Sequence, residues 1–175
     1  TRFAAQAIHD EGLEAKIIAI DPAPRADIVK LSPIVSLQQM PLQSANFELF
    51  DELVSGDILF IDSSHVLMPG SDVDILFNRV LPMLADGVLI HIHDVVLPDP
   101  YPSVWEWRGY NEQNAVACLL TGGGFELLAS SHYAQTRMRT DVARLFKEMP
   151  PSPEGAHATS IWLRKASSQA FMIAP

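Results

Sequence analysis

An α/β fold with a mostly parallel sheet is the architecture this sequence predicts, and three observations carry it. Residues 58–61 and 88–92 are apolar runs without polar/apolar alternation, His91 aside, which is the pattern of parallel strands covered on both faces. Both runs stop at a carboxylate with imidazoles close by, Asp62-Ser63-Ser64-His65 in one and His93-Asp94 in the other. Between them, Ser71 and Asp74 resemble a capping box, and Val73, Leu76, Phe77, Val80, Leu81 and Leu84 trace one helical face. A strand–helix–strand unit of this length sets Asp62 and Asp94 side by side at the carboxyl edge, where open α/β sheets bind ligands.

Residues 1–15 read as a helix already under way at Thr1, with Phe3, Ala7, Ile8 and Leu13 roughly at helical spacing, so an upstream segment is expected. Residues 16–20 form a short strand that ends at Asp21-Pro22, and Pro24 prevents a helix from following directly. Residues 34–42 suit a third strand, made polar and edge-like by Gln38 and Gln39, and residues 46–54 suit a short helix before Gly56 opens the Asp62 strand. The Asp94 strand gives way to a Pro-rich aromatic segment, residues 98–110, with Tyr101, Trp105, Trp107 and Tyr110. Asn111 can cap a helix running to about Leu120, and Gly122-Gly123-Gly124 supplies the left-handed residue that ends it. Strands follow at residues 125–130 and 159–163, separated by a polar, partly basic stretch over 134–149 and a Pro-rich surface linker. Residues 1–166 are expected to make one domain and residues 167–175 a peripheral tail.

Composition narrows the function classes. A formal charge of −9 leaves no basic surface to follow phosphates, so nucleic acid is a poor partner. No stretch reaches the ~18 consecutive apolar residues of a membrane span, and no basic segment with an apolar core suggests a signal peptide. The lone Cys118 reads as a small core residue, and the absence of a disulfide framework points to the cytoplasm.

The ordered set Ile20-Asp21-Pro22, Ile61-Asp62-Ser63-Ser64-His65, His93-Asp94 and Gly124-Phe125-Glu126-Leu127-Leu128 resembles the class I S-adenosylmethionine-dependent methyltransferases, in the branch with IDSSH-type and HD strand ends. The resemblance covers about residues 1–164 and implies a three-layer Rossmann-like sandwich, mostly parallel, with an antiparallel last strand. The family's glycine-rich turn after its first strand is absent here, so that strand is expected to be missing.

The resemblance also implies roles. Asp21 stands where the family binds the ribose hydroxyls, and a carboxylate can accept from two donors at once. Asp21, Gln39 and Asp62 are the expected contacts to S-adenosylmethionine. Asp62 and Asp94 match a pair that holds a divalent cation in metal-dependent O-methyltransferases, Mg²⁺ if oxygen donors dominate, with His93 as a third ligand that admits softer metals. His65 is the expected general base beside Asp62 and Asp94. His91 lies deeper and reads as a hydrogen-bonded interior residue, while His9, His132 and His157 read as surface or packing residues. Residues 101–110 suit either a lid over the substrate or plain packing anchors. The function this implies is O-methylation of a small molecule or glycan, with association between copies left open. The alternatives are a non-catalytic remnant of the fold and nicotinamide-dependent redox chemistry, whose glycine fingerprint is equally absent.

Overall fold

The structure, a computed structural model, describes residues 1–25, 27–31, 33–150, 153 and 155–167. The chain divides into two compact units, Thr1–Phe47 and Glu48–Pro175. In the first, helix α1 (Arg2–Asp10) precedes two short strands, β1 (Ile17–Ile20) and β2 (Val35–Gln38). The strands pair in parallel with Ile17 opposite Val35 and Ile20 opposite Gln38. Ala5, Ile28 and Val35 form the core of this unit, with Ile17, Ala19, Leu31 and Ile34 packed against it. Ala5, not Phe3, is the buried position of α1; Phe3 and Leu13 are exposed. The Asp21 amide donates to the Gln38 carbonyl at 3.2 Å, so Asp21 and Gln39 leave the pair at the same carboxyl edge.

The second unit opens with a one-turn helix, α2 (Glu48–Asp51), and holds a four-stranded sheet, β3 (Ile58–Ile61), β4 (Leu89–Ile92), β5 (Phe125–Ser130) and β6 (Ile161–Lys165), in the order β3-β4-β6-β5. β3 and β4 are parallel, with Ile61 opposite Ile92, and β6 runs antiparallel to both β4 and β5. The antiparallel last strand expected from the resemblance is therefore present, and the mixed α/β architecture is Rossmann-like.

Between β3 and β4 lies a helical stretch, α3 (Asp72–Ile75) and α4 (Leu81–Met83) joined through a π turn, Leu76–Val80. Pro82 has no amide to donate to a regular α-helical ladder, and the widened turn stands directly before it. Ser71 caps α3 by accepting from the Asp74 amide at 3.1 Å. Asp74 completes only half of a capping box, because its carboxylate accepts from the Gly70 amide and the Asn78 side chain. All six apolar positions of the predicted face are buried and share the core with Val88, Ile90, Ile92, Val116 and Leu163. Each such side chain contributes about 1.5–3 kcal/mol by leaving water.

Two expectations change here. β4 is buried as the sequence predicts, but β3 is an edge strand of its sheet, with Ile58 54% and Phe60 57% exposed. Cys118 is exposed on helix α5 (Glu112–Thr121), whose inward position is Val116. The left-handed residue after α5 is Gly123, at φ 74, while Gly122 stays right-handed. The polar stretch after β5 forms helices α6 (Ser131–Arg137) and α7 (Arg139–Leu145). Of the expected tail, Ser167 donates to Asp86 at 2.6 Å, and residues 168–175 lie outside the described residues.

Gly87 joins the helical stretch to β4 at φ 84, its amide donating to Lys165 and its carbonyl accepting from Gly56. A Cβ there would stand 2.2 Å from the Ser55 hydroxyl oxygen, whereas one on Gly70, at φ 80, meets nothing within 4 Å. Gly70→Ala is therefore expected to cost about 1 kcal/mol of left-handed strain and Gly87→Ala about 1–3 kcal/mol more, measured by urea unfolding. Equal losses for the two would show that the Ser55 contact is relieved freely.

Candidate functional site

The loop after β3 and the loop after β4 begin level with each other, because the His93 amide donates to the Ile61 carbonyl at 2.9 Å. Asp62 and Asp94 thus leave adjacent parallel strands at one edge, as the strand–helix–strand reading requires. His65 turns back between them. Its Nε2 lies 3.4 Å from Asp62 Oδ1 and 3.7 Å from Asp94 Oδ2. Its Nδ1 lies 2.8 Å from Oε2 of Glu112, in the first turn of α5. His65 is 4% exposed and Glu112 0%. A carboxylate offers only acceptors, so Nδ1 carries the proton in that contact.

The backbone of this loop is held as firmly as the ring. The His65 carbonyl accepts from the amides of Asn111 at 3.0 Å and Glu112 at 3.2 Å. Asn111 makes no side-chain cap on its own helix among the described residues; its amide group instead bridges Leu67, accepting at 2.6 Å and donating at 3.3 Å. His65, at φ 60, and Asp94, at φ 53, are the two non-glycine residues with left-handed backbone among those described. Such conformations cost on the order of 1–3 kcal/mol each and gather at functional sites.

Asp94 is enclosed by donors. Its Oδ1 accepts from the Thr159 hydroxyl at 3.0 Å, and the Arg108 guanidinium stands 3.5 Å from Oδ2. Arg108 also lies over the rings of Trp105, at 4.3 Å, and Tyr110, at 5.3 Å. Tyr110 packs against His65 with ring centroids 4.5 Å apart. Tyr101, Pro102, Trp105, Glu106, Gly109 and Tyr110 line a cavity of about 250 Å³ beside these groups. Sequence reasoning missed Glu112, Arg108, Ser63 and Thr159. The one local signal was the polar run Asn111-Glu112-Gln113 opening an apolar helix, and nothing in it says that Glu112 is buried.

Electrostatics separate the histidines. Burial works against a charge on His65, but its hydrogen bonds to Asp62 and Glu112 and the negative charges of Glu112 and Asp94 outweigh it and push the group up to about 9. Near neutrality His65 therefore holds both ring protons and has no lone pair to offer, which runs against the general-base role expected of it. His91 is interior as predicted, but its Nδ1 has no hydrogen-bond partner among the described residues; it stacks on Phe60 at 4.4 Å and meets Trp162 edge-on. Burial, then the nearby His93, lower it to about 4.

Among the described residues no group of three or more His, Cys, Asp or Glu side chains is arranged to hold a metal ion. The expected ligands Asp62 and Asp94 converge on a ring N–H, which donates and does not coordinate, and His93 Nε2 sits 3.4 Å from Asp94 Oδ1. The donor set therefore does not fit the cation that the resemblance implied. Asp21 Oδ1 accepts from the Ala23 amide at 2.8 Å, which fixes the carboxylate at the strand end while leaving it further acceptor capacity, and Gln39 is exposed beside it. Of the remaining histidines, His9 is exposed near Asp10, His132 pairs with Asp99 at 2.7 Å, and His157 meets Trp105 edge-on at 5.8 Å. No helix among the described residues is long and apolar enough to cross a membrane.

Asp62, His65 and Asp94 thus stand at the carboxyl edge of a parallel strand pair, the edge at which open α/β sheets bind ligands. The profile of a family described as a methyltransferase domain matches residues 1–95, more than half of the chain, and the protein belongs to that family. The match takes in Asp21, Gln39, Asp62, His65, His93 and Asp94; Arg108, Glu112 and Thr159 lie beyond it. Comparison with curated proteins returns no match.

The two interior histidines give stability a pH dependence of opposite sign. His65, raised when folded, contributes stability that is full below its unfolded value of 6.5 and is lost as pH rises towards about 9. His91, lowered when folded, leaves stability intact above 6.5 and erodes it as pH falls towards about 4. Unfolding free energy against pH should thus peak near neutrality, with His65→Gln flattening the alkaline limb and His91→Phe the acid limb. A wild-type curve that still rises between pH 7 and 9 would contradict the His65 assignment.

Proposed function

We propose that the protein is a methyltransferase that moves the methyl group of S-adenosylmethionine to a hydroxyl oxygen of a small ring-bearing acceptor, a sugar or a planar alcohol, in the cytoplasm. The observation that carries this reading is the convergence of Asp62, His65 and Asp94, two of them with strained backbone, at the carboxyl end of adjacent parallel strands in a methyltransferase-family domain. When bound, S-adenosylmethionine supplies a methyl on a sulfonium centre that an oxygen nucleophile displaces.

The chain's own groups divide the remaining work. Asp21 and Gln39 are the cofactor contacts of the first unit. The rings of Tyr101, Trp105 and Tyr110 offer flat apolar walls, and a cavity of about 250 Å³ suits one ring more than an extended chain. Asp62, whose side chain is 57% exposed, takes the proton of the acceptor hydroxyl as the new oxygen–carbon bond forms and the sulfur–carbon bond breaks. Asp94, 13% exposed and already engaged by Thr159, Arg108 and His65, holds the site in shape. His65 is a fixed cation that keeps two carboxylates together and lowers the repulsion between them.

Calorimetry with S-adenosylmethionine and a methyl-transfer assay on a panel of monosaccharides and catechols test this. Asp21→Ala is expected to weaken cofactor binding about 10-fold or more, the loss of a charged hydrogen-bond acceptor. Asp62→Asn is expected to lower turnover about 100-fold or more, a larger effect than on cofactor affinity. A full-length protein that binds no S-adenosylmethionine at millimolar concentration would leave the non-catalytic reading in its place.

A further inference from the structure

We infer that Glu112 is the positioning residue of this site, the group that sets which way the His65 imidazole faces. The inference rests on the methyl-transfer reading for its catalytic consequence, and its geometry stands apart from that reading. Glu112 is fully buried, and neither of its oxygens is spare: Oε2 takes the His65 Nδ1 proton at 2.8 Å and Oε1 accepts the Ser63 hydroxyl at 2.9 Å. Ser63 Oγ in turn accepts the His65 amide at 3.0 Å, which closes a ring of three residues drawn from two elements 49 positions apart. A carboxylate removed from water in this way is costly unless paired, and its place in the first turn of α5 adds the favourable field of the helix amides.

The geometric consequence lies on the far side of the imidazole. Rotation about χ2 of a histidine is broad and roughly two-fold, so packing alone would allow either nitrogen to face the carboxylates at the strand ends. Fastening Nδ1 to Glu112 fixes the ring plane and leaves Nε2–H towards Asp62 and Asp94. The same clamp restrains a residue held at φ 60, because the His65 amide, carbonyl and ring are all engaged by Ser63, Asn111 and Glu112. Removing Glu112 frees the ring to flip, and the strand-end carboxylates lose the donor between them. Glu112 touches neither cofactor nor acceptor in this arrangement; it acts through His65.

The test reads the ring directly, in protein labelled with ¹⁵N-histidine and without cofactor or acceptor. A buried N–H donating to a carboxylate gives a proton resonance far downfield and slow to exchange. The wild type is expected to show one such signal that disappears in His65→Ala. In Glu112→Gln, of the same size but with a neutral acceptor, the signal is expected to move upfield. In Glu112→Leu it is expected to vanish, with circular dichroism and cooperative unfolding verifying that each variant is folded. Should the leucine variant fail to fold, the glutamine variant decides alone. The His132 ring beside Asp99 can give a second signal that no substitution here moves; the absence of any signal lost in His65→Ala, or such a signal that stays in place in folded Glu112→Gln, overturns the assignment. In the methyl-transfer assay, Glu112→Gln is expected to lower kcat with unchanged cofactor affinity. If no transfer is seen even in the wild type, the proposed activity fails while the proton signal still judges the positioning role.

Discussion

A buried imidazole with carboxylates on both of its nitrogens is the interaction on which the carboxyl edge of the larger unit depends. Glu112 holds one side of His65, and Asp62 and Asp94 stand on the other. Three negative groups gathered at one sheet edge would repel one another, and the protonated ring between them turns that repulsion into attraction. Such a network is conditional: removing one member of a buried charge set typically costs about 3–5 kcal/mol, because it strands the others away from water. The left-handed backbone at His65 and Asp94 belongs to the same arrangement, since both residues are restrained by partners from elsewhere in the unit.

The aromatic segment after β4 is fastened to this network at several points. Arg108 spans the gap, with its guanidinium against Asp94 and over Trp105 and Tyr110. At the other end Asp99 binds His132 at 2.7 Å and the Arg137 guanidinium, and its carbonyl accepts from Gln113 at 3.2 Å. Gln113 also accepts from the Val96 amide, and its own amide donates to the Tyr101 hydroxyl. The start of α5 is thus a hub: three consecutive residues, Asn111, Glu112 and Gln113, engage both the loop after β3 and the loop after β4. Tyr101, Trp105 and Tyr110 pack on one another and also line the cavity, so packing on each other does not exclude a wall role for the same rings.

What was legible in advance follows the range of the interactions involved. The helical face from Val73 to Leu84 is fully buried as predicted, because a 3.6-residue period is a property of neighbouring residues. The Ser71 cap and β5 were readable for the same reason. The exposure of Ile58 and Phe60 was not, since an edge strand and a central one can carry the same apolar run and differ only in how many neighbours the sheet supplies. Cys118 shows the limit within a helix: one step along the chain turns a side chain about 100°, so an apolar stretch does not say which of its members faces in.

By itself the sequence determined that Asp62, His65 and Asp94 meet at one edge, because a parallel strand–helix–strand unit carries both strand ends to the same side. The methyltransferase family was legible in it as well, and the family profile matches residues 1–95. Tertiary structure decided what His65 is. A free imidazole near pH 7 can lose or keep its proton; here burial opposes the charge, and the hydrogen bonds to Asp62 and to Glu112, 47 residues away, with the negative charges of Glu112 and Asp94, outweigh it. Proton affinity is set by charge and water within a few ångströms, and those surroundings are assembled only when distant segments pack.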